Sequence, residues 1–276
     1  MILVTGATGK VGSALVQRLE AAGSRFRVAA RSPEKAAGRQ AVLFDFDRPE
    51  TFPAAFAGVE RLFLLTSGGT ERETAAVAAA KNAGVRRIVK LSVWGADEDA
   101  FALGRLHRAV ERAIEGSGLS WTFLRPNSFM QNFSTAHAPT IKSQGAFYPY
   151  GHAARISVID ARDIGAVAAK VLTEEGHAGR IYKLSGPESL SNQDMAEKLS
   201  RAIGRTVRFV DLPDDEYEKA LVAAGVPAPY AAALVDLSRY YVTGAGAAVT
   251  PDVERVTGRR PISFDQFARD HAGAWQ

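Results

Sequence analysis

Three glycines at three-residue spacing stand in Thr5-Gly6-Ala7-Thr8-Gly9-Lys10-Val11-Gly12, a pattern suited to holding a phosphate. The apolar run Ile2-Leu3-Val4 precedes them and Ser13 to Leu19, apolar at helical spacing, follows, so strand, turn and helix start come in that order. Gly6 permits the tight turn, Gly9 admits a ligand against bare backbone, and Gly12 lets helix pack closely on strand. The helix start then presents free N–H groups and the positive end of its dipole to a pyrophosphate. Gly-x-x-Gly-x-x-Gly is a variant of the commoner dinucleotide fingerprint, and the plain alternative is a structural turn with no ligand. Gly6, Thr8, Gly9, Lys10, Val11 and Gly12 are the candidate contacts.

A second strand, Phe26 to Ala30, ends at Arg31, where dinucleotide folds choose their cofactor. A carboxylate there would bind a ribose 2′-hydroxyl, whereas arginine suits a 2′-phosphate, with Lys10 and Lys35 adding charge. NADP(H) is the cofactor expected, against the alternative of a solvated surface arginine. The third strand, Ala41 to Phe44, delivers Asp45 to accept from an adenine amino group and Phe46 to lie beside the base; a turn role for Asp45 competes. Thr66 and Ser67 follow the fourth strand, Val59 to Leu65, and Ser92 ends the fifth, Arg87 to Leu91, completing the cofactor candidates.

Strands and helices alternate beyond this point. Helices are expected at 53–58 and 71–84, a sixth strand at Leu119 to Leu124, and strands at Ile156 to Asp160, Ile181 to Leu184 and Val207 to Val210. Later helices run from an N-cap at Ser191 to Ile203, over 214–225 and 229–241, and in two short closing segments. The fold class is therefore α/β, a doubly wound parallel sheet with right-handed crossovers.

The composition, with 46% hydrophobic and 23% charged residues, is that of a soluble globular chain. No cysteine is present, which removes disulfides and thiolate chemistry, and five scattered histidines make no metal cluster. The net charge of +4 is dispersed, so no direct nucleic-acid partner is expected, and no apolar run reaches membrane-spanning length. With strand formers at the very start, a cytoplasmic protein, monomer or homodimer, is the expectation.

The glycine turn, Arg31-Ser32-Pro33, Asp45-Phe46 before Pro49-Glu50-Thr51-Phe52, and Trp121-Thr122-Phe123-Leu124-Arg125-Pro126-Asn127 together resemble the NmrA-like atypical short-chain dehydrogenase/reductases. Within that group the chain is most similar to NADPH-dependent quinone oxidoreductases, azoreductases and triphenylmethane reductases. The resemblance implies a Rossmann-like NAD(P)-binding part over 1–150 and a substrate-binding part over 151–276, interleaved with it. It also implies a small aromatic acceptor. Leu103 and His107 stand where short-chain dehydrogenases carry Tyr-x-x-x-Lys, so no tyrosine acid serves a ketone. Quinones and cationic dyes need less, because hydride leaves a stabilised phenolate or a neutral carbon.

His107 and Glu111 share a helix face at four-residue spacing, and the carboxylate can orient the imidazole or raise its pKa. An exposed i,i+4 pair is the competing reading, offset by the matching His-x-x-x-Glu of the dye and quinone reductases. By resemblance, the loop after the sixth strand passes over the nicotinamide. Asn127 would bond the carboxamide, while Phe129, Met130 and Phe133, with Tyr148 further on, form an apolar wall. A regulator that senses the cofactor's redox state without turnover is the alternative function.

Overall fold

The computed structural model describes the chain apart from Ala37, Ser67, Gly68 and the Lys35 side chain. Its strands are β1 (Ile2–Val4), β2 (Phe26–Ala30), β3 (Ala41–Leu43), β4 (Arg61–Leu64), β5 (Arg87–Leu91), β6 (Ser120–Pro126), β7 (Ala146–Phe147), β8 (Arg155–Ile156), β9 (Arg180–Leu184), β10 (Leu190–Ser191) and β11 (Arg208–Phe209). The helices are α1 (Lys10–Ala21), α2 (Phe52–Phe56), α3 (Thr70–Asn82), α4 (Ala102–Gly116), α5 (Ala138–Gln144), α6 (Ala161–Thr173), α7 (Asn192–Ile203), α8 (Asp214–Ala223), α9 (Ala228–Val242), α10 (Asp252–Thr257) and α11 (Phe264–Asp270).

Seven strands form one sheet in the order β3-β2-β1-β4-β5-β6-β9, and every pairing is parallel. The expected doubly wound architecture is the one observed. The chain reverses direction across the sheet between β1 and β4, the crevice where such sheets take ligands. Alternation along β1 sends Val4 to a core with Leu15, Leu19, Ile164 and Val167 of α1 and α6, while Leu3 faces Phe52, Leu62 and Val77 on the other side. A Cβ on Gly165 would stand 2.8 Å from Ala14 Cβ, so glycine sets the close approach of α6 to α1. A third core joins Trp94, Phe133, Phe147, Leu199, Phe264 and Trp275 among the C-terminal elements.

Two expected strands shrink. Of Ile156 to Asp160 only Ile156 is in a ladder, β8 against β10, because the rest follows the loop after β6: Ile159 N donates to Ser128 O at 2.8 Å and Met130 N to Ile159 O at 2.9 Å. Val207 to Val210 reduces to β11, parallel to β7. Ser191 caps α7 as expected, its side chain accepting from Asp194 N.

Candidate active site

The glycine turn closes on itself. Gly6 has φ +62°, and a Cβ on Gly12 would lie 2.0 Å from Gly6 O, which leaves that position to glycine. Gly12 therefore sits behind the cradle. A Cβ on Gly9 would meet Gly6 O at 3.3 Å and is otherwise open, and Gly9 begins α1 with no capping side chain and no acidic residue in the first turn. The helix end is thus left to an anion from outside. A cleft of about 780 Å³ opens from it, lined by Gly6, Thr8, Gly9, Lys10, Val11, Arg31, Asp45, Phe46 and Thr66.

Charge at the cleft's lip is unevenly committed. Arg39 is held by Glu20 at 2.7 Å and Arg72 by Asp47 at 2.6 Å, whereas Arg31 is exposed and has no ion-pair partner among the described residues. Asp45 takes the turn role, Oδ1 accepting from Asp47 N at 3.0 Å in an Asx turn, and it also lines the cleft. Phe46 meets Phe44 edge-on at 4.8 Å. Ser67 and the Lys35 side chain fall outside the described residues.

The cleft runs on into a second cavity of about 980 Å³, with Lys10, Leu65, Thr66, Leu91 and Phe129 common to both. Lys10 Nζ donates to Asn132 Oδ1 at 2.9 Å across the junction. The walls are Leu103, Leu106 and His107 of α4, Tyr148 and Tyr150, Tyr217 and Leu221 of α8, and Tyr230, Leu234 and Tyr241 of α9. Ser92 lines this cavity rather than the cleft at the glycine turn; it is buried, and its Oγ has no hydrogen-bond partner among the described residues.

Several expected site residues are elsewhere or already engaged. Met130 and Phe133 belong to the C-terminal core, Phe133 edge-on to Phe147 at 5.1 Å, because the Met130–Asn132 turn rotates them away from the cavity. Phe129 and Tyr148 do face it. Asn127 borders the cavity, but its amide is spent: Nδ2 donates to Ser157 Oγ and Gly246 O, each at 2.9 Å, and Oδ1 accepts from Ser128 N and Tyr241 Oη. It orders the loop and has no donor left for a carboxamide. Glu111 is fully buried and clamped by Arg125, with Nε–Oε1 at 2.9 Å and Nη2–Oε2 at 2.6 Å, and does not orient His107.

His107 turns to groups that sequence reasoning passed over. Its Nδ1 is 3.4 Å from Lys90 Nζ, and Lys90 Nζ is 2.7 Å from Glu73 Oε2. Burial, with the Lys90 charge adding to it, brings His107 down to about 3, so the imidazole is neutral, opposite to the rise expected from Glu111. The signal available was a lysine in the otherwise apolar run Ile88-Val89-Lys90-Leu91 of a central strand. No cluster of potential metal ligands occurs among the described residues, and no helix there is long and apolar enough to cross a membrane.

Residues 1–260 match the NmrA-like family. The chain is 40% identical over 282 residues to (4-alkanoyl-5-oxo-2,5-dihydrofuran-3-yl)methyl phosphate reductase of Streptomyces griseus, covering 100% of this chain and 99% of the relative. It is 37% identical over 285 residues to NAD(P)H azoreductase of Xenophilus azovorans, again covering 100% and 99%. The fold superposes, with a TM-score of 0.88, on an Escherichia coli NADPH-dependent quinone oxidoreductase in complex with NADPH, at 26% identity and covering 98% and 99% of the two chains. With the glycine cradle, the sheet order and these matches in agreement, the chain belongs to the NmrA-like family.

Proposed function

We propose that this chain is an NAD(P)H-dependent reductase that uses NADP(H) to reduce a planar, electron-poor acceptor such as a quinone, an azo compound or a cationic dye. The observation that carries the reading is the continuity of the two cavities, an anion cradle with the Arg31 guanidinium, unpaired among the described residues, at its lip, leading past Phe129 into an apolar, tyrosine-rich slot. The amides at the start of α1 would hold the pyrophosphate, Arg31 the 2′-phosphate, and Asp45 with Phe46 the adenine. When bound, the nucleotide supplies hydride. The slot orients the acceptor by stacking and excludes water, which is most of what such acceptors require. The Streptomyces relative is named for an alkanoyl-substituted dihydrofuranone that carries a methyl phosphate; the ring and alkanoyl chain of such an acceptor suit the same apolar walls.

The test is NADPH consumption with a quinone, an azo dye and a cationic triphenylmethane dye, beside a Gly9→Val variant. Saturable turnover of at least one acceptor, lost in the variant, is expected. Tight NADPH binding with no turnover of any acceptor would instead establish a redox-sensing regulator.

A further inference from the structure

The Glu73–Lys90 pair is costly where it stands. Lys90 is fully buried in a central strand and Glu73 is 5% exposed, and a buried ion pair adds little stability over apolar side chains of similar volume. Its geometry nonetheless points at the slot. The ammonium has three protons and three acceptors around it: Leu91 O at 2.6 Å, Glu73 Oε2 at 2.7 Å and His107 Nδ1 at 3.4 Å. An ammonium accepts nothing, so His107 Nδ1 is the bare nitrogen and the ring proton resides on Nε2. That Nε2 has no partner among the described residues, and both His107 and Glu73 line the slot.

We propose that Lys90, held by Glu73, is the proton reservoir of this site, fixing His107 as the Nε2–H tautomer and reloading it through Nδ1. The inference rests on the reductase reading above. Hydride transfer to a quinone leaves a hydroquinone monoanion, stable in water but costly in an apolar slot. Its oxygen takes the Nε2 proton of His107 while Nδ1 takes one from Lys90. Lys90 is left as the amine and regains its proton from solvent by way of Glu73. The sum is quinone, reduced nucleotide and one proton giving hydroquinone and oxidised nucleotide. A cationic dye is neutralised by hydride alone and draws on none of this.

The charged groups around Lys90 are few. Glu73 faces it from α3 and His107 from α4; Glu111, one turn along α4, is locked to Arg125 of β6 and to Arg108. Burial lowers the proton affinity of Lys90, with Glu73 opposing, which moves an ammonium toward useful acidity. Tyr150 is a poorer donor, raised to about 12 by burial and engaged with Ser128 Oγ at 2.5 Å.

The experiment compares a quinone with a cationic triphenylmethane dye in wild type, Lys90→Met, Lys90→Arg and Glu73→Gln, with NADPH affinity and melting temperature measured on each. Lys90→Met should lower kcat for the quinone by on the order of a hundredfold, the low end of general-acid contributions, with KM and the dye rate nearly unchanged. Lys90→Arg keeps the charge but releases no proton, so it should fold and show the same selective loss. Glu73→Gln removes the counter-ion, and the alkaline fall of quinone kcat should move to lower pH. Equal losses on both acceptors, or an unchanged quinone kcat, would overturn the relay and leave the reductase reading standing. Binding of NADPH without turnover of either acceptor by wild type would remove both.

Discussion

The two cavities are made in opposite ways. The first cleft, the proposed nucleotide site, is headed by backbone: one contiguous turn from Thr5 to Gly12 forms the cradle, and strand ends supply Arg31, Asp45 and Phe46. The second cavity, the proposed acceptor slot, is made of side chains gathered from α4, the loop after β6, α8 and α9, a span of more than a hundred residues of chain. A site made of backbone tolerates almost any neighbour but few changes at its glycines. A site made of side chains can be relined one residue at a time while the fold stays the same, which is how one architecture serves different acceptors.

This contrast gives its own tests, the largest effect first. Gly12→Val places carbon where Gly6 O already stands, so the cradle has to open; nucleotide affinity should fall by at least a hundredfold, with a loss of about 3 kcal/mol in thermal unfolding. An intact nucleotide titration in that variant would mean that the turn is more compliant than its geometry implies. Arg31→Ala touches only the lip. Loss of a charge-assisted contact costs about 2 kcal/mol, so NADPH should weaken roughly thirtyfold while NADH hardly changes. Equal weakening of both nucleotides would place Arg31 outside 2′-phosphate recognition.

The smallest effect concerns acid and bears on the second cavity, the one of the two that histidines line. His107 and His137 both line the slot and are held near 3 and 4, chiefly by burial, against about 6.5 in the unfolded chain. Their depressed values make the unfolded state the better proton binder, so their contribution is complete above about pH 6.5 and is lost as pH falls toward the folded values. Between pH 7 and 5.5 the melting temperature of wild type should drop more than that of His107→Gln or His137→Gln, by the equivalent of about 1 kcal/mol each. Parallel curves would show that neither imidazole is kept neutral by the fold.

What the sequence made legible follows the same division. The strand, turn and helix of the cradle are local, and their chemistry is written in glycines whose neighbours are a few residues away. The parallel, doubly wound character of the sheet follows from the alternation of apolar runs with helices, while its strand order comes from the structure. The slot is another matter. His107 and Glu111 share a helix face as their spacing requires, yet Glu111 pairs with Arg125, and nothing in α4 announces that partner. Met130 and Phe133 have the composition of a substrate wall but are turned inward by a three-residue helical turn. Tyr217 and Tyr230 reach the slot only because α8 and α9 fold back over it, a tertiary event with no local signal.

The last strand of the sheet has a practical consequence for anyone recombining these proteins. β9 pairs with β6 over five residues, Thr122 opposite Arg180 through Pro126 opposite Leu184, and α6 packs against α1, so the later half of the chain contributes both an edge and a covering layer to the earlier half. A chimera cut near residue 150 would split the second cavity, keeping α4 and the loop after β6 while trading α8 and α9, and would exchange part of the scaffold behind the glycine turn as well. Grafts that carry over only 205–245, bringing α8 and α9 and leaving β9 and α6 in place, would exchange one wall of the second cavity without disturbing the sheet and helix that carry the glycine turn.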